Sequence, residues 1–302
     1  MFSILICSVN ASYLENLKIN ISETIGNNYE LLAWDNLADP KPISEVYNLL
    51  AARAKYPYCC FIHEDIRFKT ISWSSILIQA FEQNPDTGMI GIAGAKYKSS
   101  SPSGWSTGIP ELDFCNIFHQ DQNGRTHHLY NNPGNSKFEN VANVDGVFMA
   151  IRREVWNEYK FNEKILRGFH LYDIDFSFQV SRTWRTAVIF SLDILHFTEG
   201  GNFGNEWVEY TLEWHHQNST KLPQMAEGFS ISFNPEKRIA KNWLYRLHKE
   251  NISWKNKKKW IRVGKTWLDP TAWPFIGLFL FGKYFFKLHT QNRNAENITP
   301  EL

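Results

Sequence analysis

Residues 58–68 read Tyr58-Cys59-Cys60-Phe61-Ile62-His63-Glu64-Asp65-Ile66-Arg67-Phe68. A short apolar run stops at an imidazole and two carboxylates, then turns apolar again. A brief unbroken apolar run is the pattern of a strand buried on both faces, as in a parallel sheet. In open α/β sheets ligands bind beyond the carboxyl ends of the strands. Three ionisable groups at such an end are candidates for surrounding something positively charged. Asp65 and Glu64 are hard oxygen donors and His63 adds nitrogen, which suits Mg²⁺ or Mn²⁺ better than a structural zinc. Successive side chains of an extended chain point to opposite faces. One of Glu64 and Asp65 is therefore expected to be a ligand, and Asp65 is the candidate.

Working outward, the same pattern recurs. Strands are predicted at "FSILIC" (2–7), "YELLAWD" (29–35), "GMIGIAG" (88–94), "VDGVFMAI" (144–151) and "AVIFSLDILHF" (187–197). Helices are predicted around 14–25, after Pro42, after Ser72 and over 170–184. Pro42 suits the start of a helix, and Ile43, Val46, Leu50 and Ala54 then share one face. Alternating strands and helices predict an α/β domain with a mostly parallel sheet. Asp35 and Asn36 end the second strand and His196 ends a late one, so the polar strand ends describe one crevice. The Gly/Ser/Asn-rich stretch 97–140 reads as a long loop, functional or mobile. Asp173 and Asp175 open a helix, where carboxylates are favoured by unpaired N–H groups. They lie on different faces, so at most one serves as a general base, and either could be only a cap.

The 302 residues are 43% hydrophobic and 21% charged, which excludes a disordered chain. Aromatic residues reach 15%, which suits contact with sugars, membranes or other flat ligands. The cysteines show no metal-site spacing and read as buried free thiols in a reducing compartment. "MFSILICSVN" lacks the charged start of a signal peptide, and a cytoplasmic protein is expected. No Gly-x-x-x-x-Gly-Lys phosphate loop is present.

Charge is uneven. From Glu236 to His289 thirteen Lys or Arg face three Asp or Glu, a net +10 that leaves −9 elsewhere in a chain of total +1. Residues 255–287 set Lys257, Lys258 and Lys259 beside Trp260, Trp273 and Phe275. The apolar run 271–282 is too short for a bilayer, which takes ~20 residues. A peripheral membrane anchor at the inner face of the cytoplasmic membrane is one reading; a packing or homodimer surface is the other. Nucleic acid is not expected, because no recognised motif accompanies the charges.

The ordered set "ICSVN" (6–10), "WDN" (34–36), "SEVYN" (44–48), "FIHEDI" (61–66), "VDGVFMAIRREVW" (144–156), "FHLYDIDFSFQV" (169–180) and "LHFTEGG" (195–201) resembles the family 2 glycosyltransferases of the GT-A fold. It resembles in particular a bacterial subgroup with His-x-Asp in place of Asp-x-Asp. The resemblance covers residues 1–215, leaving 216–302 as a helical, basic and aromatic extension. It implies an inverting, metal-dependent transfer of a hexosyl group from a nucleotide-sugar, UDP-linked by preference, to a glycan or lipid-linked glycan in cell-surface polysaccharide or lipopolysaccharide synthesis.

By position, the resemblance implies that Ser8, Asn10, Asp35 and Asn48 face the nucleotide and that Gly146 lies beside the donor sugar. Asp65 and His196 would reach the metal or diphosphate, His63 the ribose or metal, and Asp173 would be the base. Tyr172 replaces a Glu that usually precedes it. The loop 97–140 would close over the donor. A non-catalytic binding module and a metal-dependent nucleotidyltransferase are the rival readings.

Overall fold

The computed structural model describes residues 1–197 and 203–282. Residues 198–201 of "LHFTEGG" and 283–287 of the basic tail lie outside the described residues. The described chain forms two compact units, one of residues 1–98, 104–197 and 223–230, the other of 99–103, 203–222 and 231–282.

The first unit opens with β1 (Phe2–Ser8), α1 (Ala11–Thr24), β2 (Tyr29–Asp35), α2 (Ile43–Arg53), β3 (Tyr58–Ile62), β4 (Ile66–Phe68) and α3 (Trp73–Gln83). Then come β5 (Thr87–Gly91), β6 (Ala93–Ala95), β7 (Tyr97–Lys98), β8 (Asp113–Gln120), β9 (Thr126–Asn131), β10 (Phe138–Val141), β11 (Asn143–Val144) and β12 (Phe148–Arg152). It continues through α4 (Arg153–Glu158), α5 (Tyr172–Val180), β13 (Arg185–Ile189), β14 (Ile194–His196) and β15 (Gln224–Met225).

The main sheet has the order β10-β13-β5-β12-β3-β1-β2. Its first three strands in sequence pair in parallel, whereas β12 runs antiparallel to both β3 and β5, so the sheet is mixed. A second sheet, β11-β6-β8-β14-β4, carries β9 on β8. Phe2, Ile4, Ile6, Leu17, Ile21, Phe68, Trp73, Leu77 and Phe148 share one core. There Phe68 stacks on Trp73 at 4.3 Å. The four cysteines are free, and burial pushes the thiols of Cys7, Cys59 and Cys115 up to about 12.

Three predicted strands are each broken in two. Residues 88–94 divide into β5 and β6, 144–151 into β11 and β12, and 187–197 into β13 and β14. In each case one half belongs to the main sheet and the other to the second. The crossings need glycine where backbones press together: a Cβ at Gly94 would strike the carbonyl oxygen of Asn143. The expected loop 97–140 is a second correction. It holds the β8–β9 hairpin and β10, closed by a turn at Asp121–Gly124 in which Gly124 takes φ +77°.

The second unit is built of α6 (Asn205–Gln217), α7 (Glu236–Leu247), α8 (Trp254–Val263), two 3₁₀ turns (Thr266–Leu268 and Pro270–Ala272) and α9 (Trp273–Phe281). Position 215, where the sequence places a division, falls inside α6. On α7, Ile239, Ala240, Trp243, Leu244 and Leu247 are buried, the i, i+4, i+8 stripe of a helix packed on one side. Trp207 stacks on Trp243 (5.2 Å) and on Trp260 (5.8 Å), whose rings lie 6.5 Å from each other. Trp260, expected at a membrane or partner surface, is 1% exposed and belongs to this core. No described helix is long and apolar enough to cross a membrane.

Candidate active site

The segment His63-Glu64-Asp65 is where the chain leaves the main sheet at β3 and enters the second at β4. Backbone bonds fix it at both ends: His63 N–H donates to Val147 O at 3.2 Å and Phe197 N–H to Asp65 O at 2.9 Å. β14 pairs antiparallel with β4, which brings His196 to the same corner. Its Nε2 lies 3.3 Å from Asp65 Oδ1, while His63 Nδ1 lies 3.8 Å from the same oxygen. Donor atoms of His63, Asp65 and His196 all fall within 4.8 Å of one another, a group that could hold a metal ion.

The charge states fit such a role. Burial, then His196, hold the His63 imidazole below its usual range, which favours the neutral ring that ligates metals. Burial alone would raise Asp65, but its hydrogen bond to His196 and the nearby imidazoles outweigh that and lower it. Tyr172 bridges His63 and Gly146. Its hydroxyl lies 2.8 Å from His63 Nε2 and donates to Gly146 O at 3.2 Å. With the hydroxyl proton on that carbonyl, Tyr172 accepts from His63 Nε2–H, the tautomer that leaves Nδ1 free as a metal ligand.

Helix α5 starts beside this corner, and Leu171 ahead of it adopts φ 64°. For a branched residue this left-handed conformation costs ~1–3 kcal/mol and tends to mark functional sites. Asp173 lies in the first turn, where its Oδ2 accepts the N–H of Gly146 at 2.9 Å. Burial, then the charge of Asp145, push its carboxyl up to about 7. Asp175 faces elsewhere, is buried, and accepts from Gln179 Nε2 at 2.7 Å. Of the two carboxylates only Asp173 joins the cluster. At Gly146 a Cβ would run into the Tyr172 hydroxyl and Asp173, so glycine is what lets the 145–147 segment close on α5.

The remaining expected residues have structural partners. Glu64, pointing away from Asp65, accepts from Ser8 Oγ, from Val9 N–H at 3.1 Å and from Asn10 N–H at 3.0 Å. It pins the β1–α1 turn. Asn10 caps α1 by accepting from the Ser12 and Tyr13 amides. Asp35 accepts from the Leu37 and Ala38 amides at the end of β2. Beside it, Asn36, Lys41, Ile43, Arg167 and Phe169 line a hollow of about 370 Å³, and the Phe169 ring lies 5.6 Å from that of His63.

Asn48 is not brought to this corner. Its Oδ1 accepts from Trp156 Nε1 (3.0 Å) and Phe161 N–H (3.1 Å), and its Nδ2 donates to Phe161 O and Glu163. Its amide holds residues 156–163 in place.

Tyr172, Asp145 and His119 belong to the site but were not singled out by sequence. In sequence Tyr172 reads only as a replacement for the Glu that usually precedes the base. Asp145 lies inside a run that reads as plain strand. His119 lies in the stretch read as loop, yet β8 and β14 pair in parallel and set His119 directly beside His196, with ring centres 5.6 Å apart. The Nδ1 atoms of both rings are buried and have no hydrogen-bond partner among the described residues. Unpaired buried nitrogens in a native fold call for an absent ion, water or ligand.

A profile of a glycosyltransferase-like family matches residues 3–224. No curated protein sequence matches the chain. Among solved structures, a crystal structure of GalNAc-T7 with UDP, GalNAc and Mn2+ aligns with TM-score 0.48 and 8% identity, over 70% of this chain and 47% of that one. A crystal structure of A197 from STIV aligns with TM-score 0.39 and 14% identity, over 66% and 86%. The chain thus spans about half the length of the first of these structures. The family match runs through all of the strands and the cluster at their ends, from β1 to β15, and by it this chain belongs to the glycosyltransferase-like family.

Proposed function

We propose that the protein transfers a sugar from a nucleotide-sugar, UDP-linked, to a hydroxyl of a glycan or lipid-linked glycan, in bacterial cell-surface polysaccharide or lipopolysaccharide synthesis. The observation that carries this reading is the pairing of two chemistries at one corner. A group of two imidazoles and a carboxylate is joined through Tyr172 and Gly146 to a carboxylate that titrates near 7. His63, Asp65 and His196 would hold a divalent ion, and the two nitrogen donors favour Mn²⁺ over Mg²⁺. Such an ion supplies Lewis-acid stabilisation of the departing diphosphate.

The hollow beside Asp35 and Phe169 is the nucleoside end of the site, and Phe169 offers a ring against which a base can stack. Asp173 is the general base. A carboxylate poised near neutral pH both ionises and accepts a proton as the acceptor hydroxyl attacks. Attack from the face opposite the leaving diphosphate inverts the anomeric centre. Gly146, held by Asp173 and Tyr172, lies beside the base, where the resemblance places the donor sugar.

A thermal-shift screen of nucleotide-sugars with Mn²⁺, followed by product analysis with glycan acceptors, tests the reading. A UDP-sugar should raise Tm by mass action, and turnover should release UDP. Release of pyrophosphate from a nucleoside triphosphate would replace it with nucleotidyl transfer. Binding without hydrolysis or transfer would replace it with a binding module.

A further inference from the structure

We infer that the exposed face formed by α8, the two 3₁₀ turns and α9 is a docking surface for an anionic lipid bilayer. Helix α8 is sharply two-sided. Asn256, Trp260 and Ile261 point inward, whereas Trp254, Lys255, Lys258, Lys259 and Arg262 are exposed and fall on the opposite side of the helix. Lys257 leaves this set, lying half-buried over the Phe279 ring at 5.3 Å, where burial lowers its pKa.

Large apolar side chains border the cations. Trp267, Leu268 and Trp273 are 56%, 59% and 60% exposed, and Trp254 and Phe281 stand exposed with rings 5.8 Å apart. A bond from Trp273 Nε1 to Trp267 O, 3.3 Å, sets two of these tryptophans side by side. Phe275, by contrast, is half-buried.

Tryptophans flanked by lysines are what a headgroup region receives: aromatic rings enter the interface while ammonium groups meet lipid phosphates. Between residues 254 and 282 the one acid is Asp269, whose carboxylate is taken up by the Thr271 amide and hydroxyl. No other acid within residues 254–282 therefore offsets the cations of this face. A second copy of the chain is the wrong occupant, because a two-fold contact would set like charges against each other. Crossing the bilayer is excluded for α9, a nine-residue helix spanning ~14 Å against ~30 Å of hydrocarbon. The surface lies on the membrane.

The test is flotation of the full-length protein with vesicles of equal parts phosphatidylglycerol and phosphatidylcholine, and with phosphatidylcholine alone. Partition should favour the anionic vesicles and fall at high salt. Reversing Lys255, Lys258 and Lys259 to Glu should weaken it on the order of 100-fold or more, whereas reversing Lys18, Lys55 and Lys221 should not. Trp267→Ser with Trp273→Ser should weaken partition and abolish a blue shift in tryptophan emission on vesicle addition. The α8 lysines and the two tryptophans are exposed, and circular dichroism checks that every variant keeps the fold. Three outcomes overturn the proposal: no preference for anionic vesicles, equal loss from both charge reversals, or a self-association or oligonucleotide binding that the α8 reversal removes while partition persists. Because the readout is partition, failure here leaves the glycosyl-transfer reading untouched.

Discussion

Asp173 is held in a state that serves a base and burdens the fold. In the unfolded chain its proton leaves near pH ~4; in the fold, burial and Asp145 keep it until about 7. The neutral form's contribution to stability is thus present at low pH and lost as pH rises through about 7. Asp173→Asn removes the titration while its amide oxygen can still accept from Gly146. We expect kcat to fall ~10²–10⁴-fold with donor binding nearly intact. Tm should exceed wild type at about pH 8 and match it at about pH 4. Wild-type kcat/KM should rise as pH passes through about 7; a flat profile would remove Asp173 from the base role. Tyr172→Phe tests the tautomer argument. Loss of the outer partner of a ligating imidazole typically weakens metal affinity ~10–100-fold, and titration with Mn²⁺ would show it. Asp65, Asp173 and His196 were legible because their residue types announce chemistry at strand and helix ends. Tyr172 and His119 were not, since an aromatic in a helix and a histidine in a polar stretch show their roles only once Gly146 and His196 lie beside them.

At the scale of elements, hydrophobic runs showed where strands lie but not which sheet owns each half. Residues 88–94 are apolar throughout because both sheets bury them, so nothing in their pattern marks the step from β5 to β6. The hairpin β8–β9 failed to register for the opposite reason. Thr126–Asn131 is almost entirely exposed, and strand alternation vanishes when neither face is covered. The signal that could have found it is Asn123-Gly124, a pair favoured in tight hairpin turns. Gly124 has φ +77° and open space around its Cα, so Gly124→Ala adds backbone strain and no clash. A loss of ~1–2 kcal/mol is expected, read as a lower urea midpoint with an unchanged slope. Because the hairpin carries His119, catalysis should drop further than global stability, which distinguishes a local opening from general weakening.

At the scale of the whole molecule, the division read from sequence treats the basic C-terminal part as an appendage. The contacts make it the larger part of a second unit that also takes in residues 99–103 and 203–222. Residues 99–103 belong to the second unit although they sit between β7 and β8 in sequence. They are fastened there by Glu236, whose carboxylate accepts from Ser99 Oγ (2.8 Å), Ser100 N–H (3.1 Å) and Ser101 N–H (3.1 Å). Helix α6 likewise buries Trp207 against Trp243 and Trp260. Charge and aromatic content signalled a distinct region but could not show that it claims earlier pieces of chain, because those pieces are short and polar. Deleting residues 236–302 therefore does more than remove the proposed membrane face. It strips the cover from Trp207 and releases the serine segment from Glu236. We expect the truncated protein to bind a hydrophobic dye and to unfold at lower urea than the full chain. Trp260→Ala, a deletion of one buried ring, should cost ~3–5 kcal/mol and reproduce part of that loss. If the truncated protein instead matches the full chain in its urea midpoint and leaves the dye dark, residues 236–302 are an appendage after all, and the stack of Trp207, Trp243 and Trp260 adds nothing to the stability of the whole.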